Sequence, residues 1–210
     1  MSMNPEQIKQ IVEAALLAAG RPLNLDQLLA VFGDEISQPD RDAVRAALAQ
    51  LADDYEGRAI EVIQVASGWR VQVRAGLAEW VGRLWEERPT RYSRALLETL
   101  ALVAYRQPIT RGEIEDVRGV TVSTSIMKTL LEREWVRIVG HRDVPGRPAL
   151  YGTTREFLDY FGLKSLDELP TLAELRDIDS LNVELPLDDP NIAAPEIQAI
   201  EEPAALADEE

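Results

Sequence analysis

Apolar residues recur along this chain at helical spacing, and one such run is written twice. Ile8, Ile11, Val12, Ala15 and Leu16 form one stripe, opened by Asn4 and Pro5 and stopped by Gly20 and Pro22. The segment from Pro22 to Gly33 (PLNLDQLLAVFG) then lies over the segment from Pro108 to Gly119 (PITRGEIEDVRG), 86 positions later. Each copy opens on Pro and an apolar residue. A capping residue follows, Asn24 or Thr110, with Gln27 or Glu113 three places on. At that spacing the cap side chain accepts from the first-turn backbone, and the third residue answers it. Apolar residues stand at the fourth and seventh positions after the cap, and Gly ends the segment. This pattern predicts a capped helix of about two turns. Solenoid repeats have periods of roughly 20–50 residues, so the longer spacing predicts two copies of one small domain.

The flanking segments repeat as well. Ser93 caps a helix striped by Leu96, Leu97, Leu100, Ala101 and Ala104, matching the helix before the first copy. After the first copy, Pro39 opens a helix striped by Val44, Ala47, Leu48, Leu51 and Tyr55, closed at Gly57. After the second, Val122, Ile126, Leu130 and Leu131 make the corresponding stripe. The period then changes to two. Trp69, Val71 and Val73 alternate with Arg70, Gln72 and Arg74, with Ile60, Val62 and Val65 as partner strand across a Ser67-Gly68 turn. Val136 and Ile138 start a second hairpin, which turns at Pro145-Gly146 and returns through Ala149, Leu150 and Tyr151. Three helices and a β-hairpin, in that order, make a winged helix-turn-helix. The expected fold is therefore α+β and mainly helical, with two tandem winged helix-turn-helix domains followed by a disordered acidic tail. The expected boundaries are 1–85, a polar linker at 86–92 that holds Pro89, 93–176, and a tail at 177–210.

Charge changes the picture at the C-terminus. The net charge is −15, yet residues 177–210 hold 11 acidic residues and no Lys or Arg, which leaves −4 for residues 1–176. With Pro186, Pro190, Pro195 and Pro203 and few aromatics, the tail has little to bury and is expected to be disordered. Two roles fit it: a solubilising extension, or an acidic segment that competes for a partner's basic surface. The chain has no Cys, so it has neither a disulfide framework nor thiol chemistry. Its N-terminus has no apolar run like a signal peptide. No segment approaches the roughly 18–20 apolar residues of a membrane span. A cytoplasmic location is expected.

A helix-turn-helix invites a DNA-binding reading, in which the third helix enters the major groove and Lys and Arg neutralise phosphates. Here the first third helix carries Arg41 and Arg45 against Asp40, Asp42, Asp53 and Asp54, and the second carries Lys128 and Arg133 against Glu132 and Glu134. Neither has the basic excess of a phosphate-tracking surface. Only the second hairpin is basic, with Arg137, Arg142, Arg147 and Arg155 against Asp143. A winged-helix transcriptional regulator stays the alternative function. Catalysis has little support: His141 is the single His, and there is no Gly-rich phosphate loop, His/Glu metal spacing or nucleophile elbow. No catalytic residue, cofactor or metal site is expected.

Longer blocks of the second unit are more specific. The run from Glu98 to Ile114 (ETLALVAYRQPITRGEI) resembles the bacterial segregation and condensation protein B family. So do the runs from Val144 to Thr154 (VPGRPALYGTT), from Phe157 to Leu163 (FLDYFGL) and from Leu166 to Pro170 (LDELP). One departure is Arg133-Glu134-Trp135, where a Gly is expected in the turn out of the third helix. The resemblance implies a non-catalytic, dimeric subunit that binds a kleisin of the segregation and condensation protein A type. The kleisin bridges the head domains of an SMC ATPase in a condensin-like complex for chromosome condensation and segregation. The resemblance also implies association with the nucleoid through that complex, dimerisation through the N-terminal domain and no cofactor.

Four residues exceed what the core requires: Tyr105, Arg106 and Gln107 at the end of a helix stripe, and Arg147 in the second hairpin turn. Tyr and Arg are common interface anchors. Tyr105 has a second role open to it, closing the core, and Arg106 a second one, complementing the helix C-terminus. Trp80, Leu84 and Trp85 add apolar area at the end of the first unit, either packed within the protein or available for dimerisation.

Overall fold

The computed structural model describes residues 3–33, 38–84 and 92–171. Trp85, positions 86–91 of the expected linker and the whole of the expected tail lie outside them. In the first half, α1 (Pro5–Ala19), α2 (Leu25–Ala30) and α3 (Arg41–Asp54) precede a hairpin of β1 (Ile60–Val65) and β2 (Gly68–Val73), then a short α4 (Ala78–Gly82). In the second half, α5 (Arg94–Arg106), β3 (Ile109–Thr110), α6 (Arg111–Arg118) and α7 (Thr124–Glu132) precede β4 (Val136–His141) and β5 (Ala149–Thr153). A terminal helix α8 (Arg155–Tyr160) follows. Each half has its own apolar core.

The repeat is physical, down to individual bonds. Asn24 Oδ1 accepts from Gln27 N at 2.9 Å, and Gln27 Oε1 accepts from Asn24 N at 3.0 Å. Thr110 Oγ1 accepts from Glu113 N at 3.3 Å, and Glu113 Oε2 accepts from Thr110 N at 2.9 Å. Four positions after each cap, Leu28 and Ile114 are fully buried. The residue before each cap is paired with a wing strand: Leu23 forms a single bridge to Trp69, and Ile109 of β3 pairs with Tyr151. Leu23 and Trp69 exchange both backbone hydrogen bonds, at 2.9 and 2.8 Å. The chains are so close there that a Cβ on Gly68 would stand 2.2 Å from Leu23 O.

Several expected core positions are exchanged. On α5, Thr99 and Val103 are buried, whereas Leu97 is 44% exposed and Ala101 lies on the surface. Thr99 is admitted because its hydroxyl donates to Ala95 O at 2.8 Å within its own helix, which satisfies the polar group locally. On α7, Met127 takes the core place expected for Leu131. The seventh positions, Val31 and Val117, are 51% and 44% exposed, because helices this short meet the core along one narrow edge. In the first hairpin Val65 pairs with Gly68, so the turn is Ala66-Ser67 and not Ser67-Gly68.

The missing glycine after α7 is explained by the backbone. Trp135 N donates to Leu130 O at 3.1 Å and Glu134 N to Leu131 O at 3.0 Å, the paired bonds of a Schellman motif. Glu134 holds the left-handed position at φ 56°, where Gly is the usual residue. Trp135 and Leu130, both buried, belong to the same core and supply the apolar contact that accompanies such caps.

Candidate protein-binding surfaces

The third helices come first, because they decide whether the fold reads DNA. On α3, Arg41 pairs with Asp26, and Arg45 with Asp42 at 2.8 Å. On α7, Lys128 pairs with Glu132 at 3.5 Å. Apart from Arg133 at the C-cap of α7, these cations are answered by carboxylates of the same half, so neither helix has the basic excess of a phosphate-tracking surface. The second hairpin loses one cation in the same way. Arg142 grips Glu113 with two bonds, Nη1 to Oε1 at 2.8 Å and Nη2 to Oε2 at 3.0 Å. That leaves Arg137, Arg147 and Arg155 without an ion pair among the described residues.

Glu113 thus holds three partners: the Thr110 backbone, the Thr110 hydroxyl and Arg142. The Thr110 amide and then its hydroxyl hold this carboxyl below the usual carboxylate range, and Arg142 adds to them against partial desolvation. Glu115 is lowered in the same sense, first by the Val122 amide and then by Arg111.

The four expected binding residues do not form one patch. Tyr105 is 37% exposed at the end of α5, and Arg106 beside it is exposed. Arg106 lines a shallow groove of about 250 Å³ with Pro108, Ile109, Glu113, Asp116 and Val117. Val120, 56% exposed, follows α6. Gln107 points inward: its Nε2 donates to Thr153 Oγ1 at 2.8 Å, and its Oε1 accepts from Thr153 N at 2.7 Å. Arg147 stands at the tip of the hairpin with φ 39°, its backbone N donating to Val144 O at 2.8 Å. Thr153 is at the other end of β5, roughly 15–20 Å along the strand at 3.4 Å per residue. Near the end of the first half, Trp80 is 64% and Leu84 78% exposed, with the Arg83 guanidinium 4.8 Å from the Trp80 ring.

One site has only a faint sequence signal, a lone carboxylate in an aromatic run. The turn of the first hairpin is seated on the second half. Ser67 N donates to Asp159 Oδ1 at 2.9 Å, and Ala66 N donates to Leu163 O at 2.9 Å. Asp159 is 8% exposed on α8, between Phe157 and Phe161, and Leu163 follows the left-handed Gly162. The first wing is therefore engaged within the protein and is not a free probe for a nucleic-acid groove.

Among the described residues no helix is long and apolar enough to cross a membrane, and no group of three His, Cys, Asp or Glu side chains could hold a metal ion. The fold is a pair of winged helices without a phosphate footprint on its third helices. A model of the family described as "Segregation and condensation complex subunit ScpB" matches residues 10–172. The "Segregation and condensation protein B homolog" of Coxiella burnetii is 52% identical over 176 residues, 84% of each chain. The "Segregation and condensation protein B" of Bacillus subtilis is 44% identical over 182 residues, 85% of this chain and 89% of that one. The crystal structure of ScpB from Mycobacterium tuberculosis is 37% identical, covering 78% of this chain and 99% of that one, with a TM-score of 0.36. The chain belongs to the segregation and condensation protein B family.

Proposed function

We propose that this chain is a non-catalytic, dimeric accessory subunit that binds a kleisin of the segregation and condensation protein A type. Through that kleisin it joins the SMC ATPase of a condensin-like complex, and so reaches the nucleoid from the cytoplasm. The observation that carries this reading is family membership over residues 10–172. The internal pairing of the third-helix cations agrees with it, because a winged helix without a phosphate footprint is suited to a protein partner. In this reading residues 1–85 serve dimerisation and residues 93–176, joined to them by 86–92, serve partner binding. The exposed Trp80 and Leu84 are available to the first role.

The contact residues are Tyr105 at the end of α5 and Arg106 on the α5–α6 groove, with Arg147 as a separate anchor. Gln107 acts as a positioning residue that fixes the end of α5 on β5. The groove is lined by the apolar Ile109 and Val117, a cation at Arg106 and carboxylates at Glu113 and Asp116. Such a surface suits an apolar side chain flanked by charge.

The test is light scattering after size-exclusion chromatography, on the chain alone and mixed with the kleisin of the same organism. The expected result is a dimer that shifts to a stable complex, with affinity reduced at least about tenfold, or about 1.4 kcal/mol, in Arg106→Glu. A monomer that ignores the kleisin overturns the reading. Titration with duplex DNA at low salt, with Arg137, Arg142 and Arg147 neutralised together, then decides on the transcriptional regulator.

A further inference from the structure

Between the first hairpin and α8 lies a cleft of about 480 Å³, lined in part by Arg21, Arg70, Arg133, Glu156, Asp159 and Tyr160. Arg21 and Arg70 come from the first half and Arg133 from the second, so the three residues line one cleft only because the first wing is seated on α8. None of the three forms an ion pair among the described residues. We infer that this cleft is a receptor for an acidic side chain of a polypeptide partner. The inference rests on the partner being a protein, but not on that protein being a kleisin.

Arg70 is the best-prepared of the three. Its Nε and Nη2 both donate to Gln72 Oε1, at 3.1 and 2.9 Å. Gln72 Nε2 donates to Glu61 Oε1 at 2.9 Å, and the other Glu61 oxygen pairs with Arg74 at 3.1 Å. This chain of contacts along the hairpin fixes the Arg70 fork with a neutral amide and leaves its charge uncompensated. Arg133 lies 5.5 Å from the Tyr92 ring, which orients it without neutralising it. Among the described residues Arg21 bonds only the carbonyl of Pro22, at 3.3 Å. It occupies the repeat position of Gln107: where the second half has an amide that grips its own strand, the first has a cation in the cleft.

Two carboxylates share the site, and one is already engaged. Asp159 is buried and accepts from Ser67 N, whereas Glu156 stands exposed in the first turn of α8. Three guanidinium charges thus stand against two carboxylates, an excess of one. Guanidinium forks match the two oxygens of a carboxylate, and the half-exposed Tyr160 ring supplies a wall for its methylenes.

The probe is a blocked tetraglutamate peptide, titrated into the full chain and followed by amide NMR, with blocked tetraglutamine as control. The expected result is shifts at Ser67, Arg70 and Tyr160 with tetraglutamate alone, and affinity reduced at least fivefold in Arg70→Gln and Arg133→Gln but not in Arg137→Gln. Equal response to the two peptides overturns the inference, as does an equal loss in Arg137→Gln. A variant with altered circular dichroism is replaced by Arg21→Gln, for which the same loss is expected. If the kleisin fails to bind while tetraglutamate binds as described, the kleisin reading falls and the cleft stands. If the kleisin binds but the peptide does not, the cleft alone falls.

Discussion

Gln107 and Thr153 hold each other in both directions, amide to hydroxyl at 2.8 Å and backbone N–H to amide oxygen at 2.7 Å. Gly152 makes room for this pair, since a Cβ there would stand 2.9 Å from Gln107 Oε1 and 3.0 Å from Val139 Cγ1. Replacing Gln107 by Ala leaves a half-buried N–H unpaired, which costs about 1–3 kcal/mol. Urea unfolding of Gln107→Ala is expected to show that loss, with kleisin affinity of the folded fraction falling only as far as α5 shifts. An unchanged midpoint would remove the positioning role.

Among the described residues two other than Gly, Glu134 and Arg147, sit in the left-handed region, and each predicts a stabilising glycine. A side chain at such a φ costs roughly 1–2 kcal/mol, and Gly returns part of that gain through unfolded-state entropy. Glu134→Gly is expected to raise stability by about 0.5–1 kcal/mol, measured by thermal unfolding. Arg147→Gly is expected to be at least as stable as the parent. It removes the guanidinium without disturbing the turn, so any loss of partner affinity belongs to the side chain. A lower melting temperature in both variants would refute the strain.

Gly68 makes a harsher prediction. Its φ of 144° and the 2.2 Å approach to a backbone carbonyl leave no space for a methyl group. Gly68→Ala must separate β2 from Leu23, at a cost of about 3 kcal/mol or more, comparable with the larger single-residue effects. Soluble yield and urea midpoint both report it, and a midpoint within error of the parent would contradict the strand contact.

Acid should weaken the second half through Glu113. Its carboxyl is held below its ordinary value of 4.5 by Thr110 first and Arg142 after it, so the folded chain binds that proton less readily than the unfolded chain. The resulting stability is present above that ordinary value and is lost as pH falls through the lower folded value. The first half places Gln27 at the same position of its cap, and that residue does not titrate. Unfolding of the parent and Glu113→Gln at stepped pH is expected to show a smaller acid loss in the variant, with the parent the more stable near neutrality. Parallel profiles would assign the acid loss to other carboxylates.

Local chemistry was readable along the chain. The two capping boxes, the stripe of α1, the Gly-closed turns and the second hairpin depend on neighbours three or four residues apart, and such contacts are written in spacing. The left-handed site at Glu134 was visible only as a departure from the family pattern, which the resemblance expects to hold Gly. Inward and outward faces were less legible where a helix is short or a polar group satisfies itself. Val117 therefore faces solvent at an apolar position, and Thr99 is buried at a polar one. The binding residues show the same division: Tyr105, Arg106 and Arg147 stand out by type, but only the tertiary structure turns Gln107 inward onto Thr153. The seat of Ala66 and Ser67 on Asp159 and Leu163, and the convergence of Arg21, Arg70 and Arg133, join residues up to 112 positions apart. No local pattern encodes such a meeting, because it depends on how two finished cores pack and on which backbone groups their own hydrogen bonds leave over.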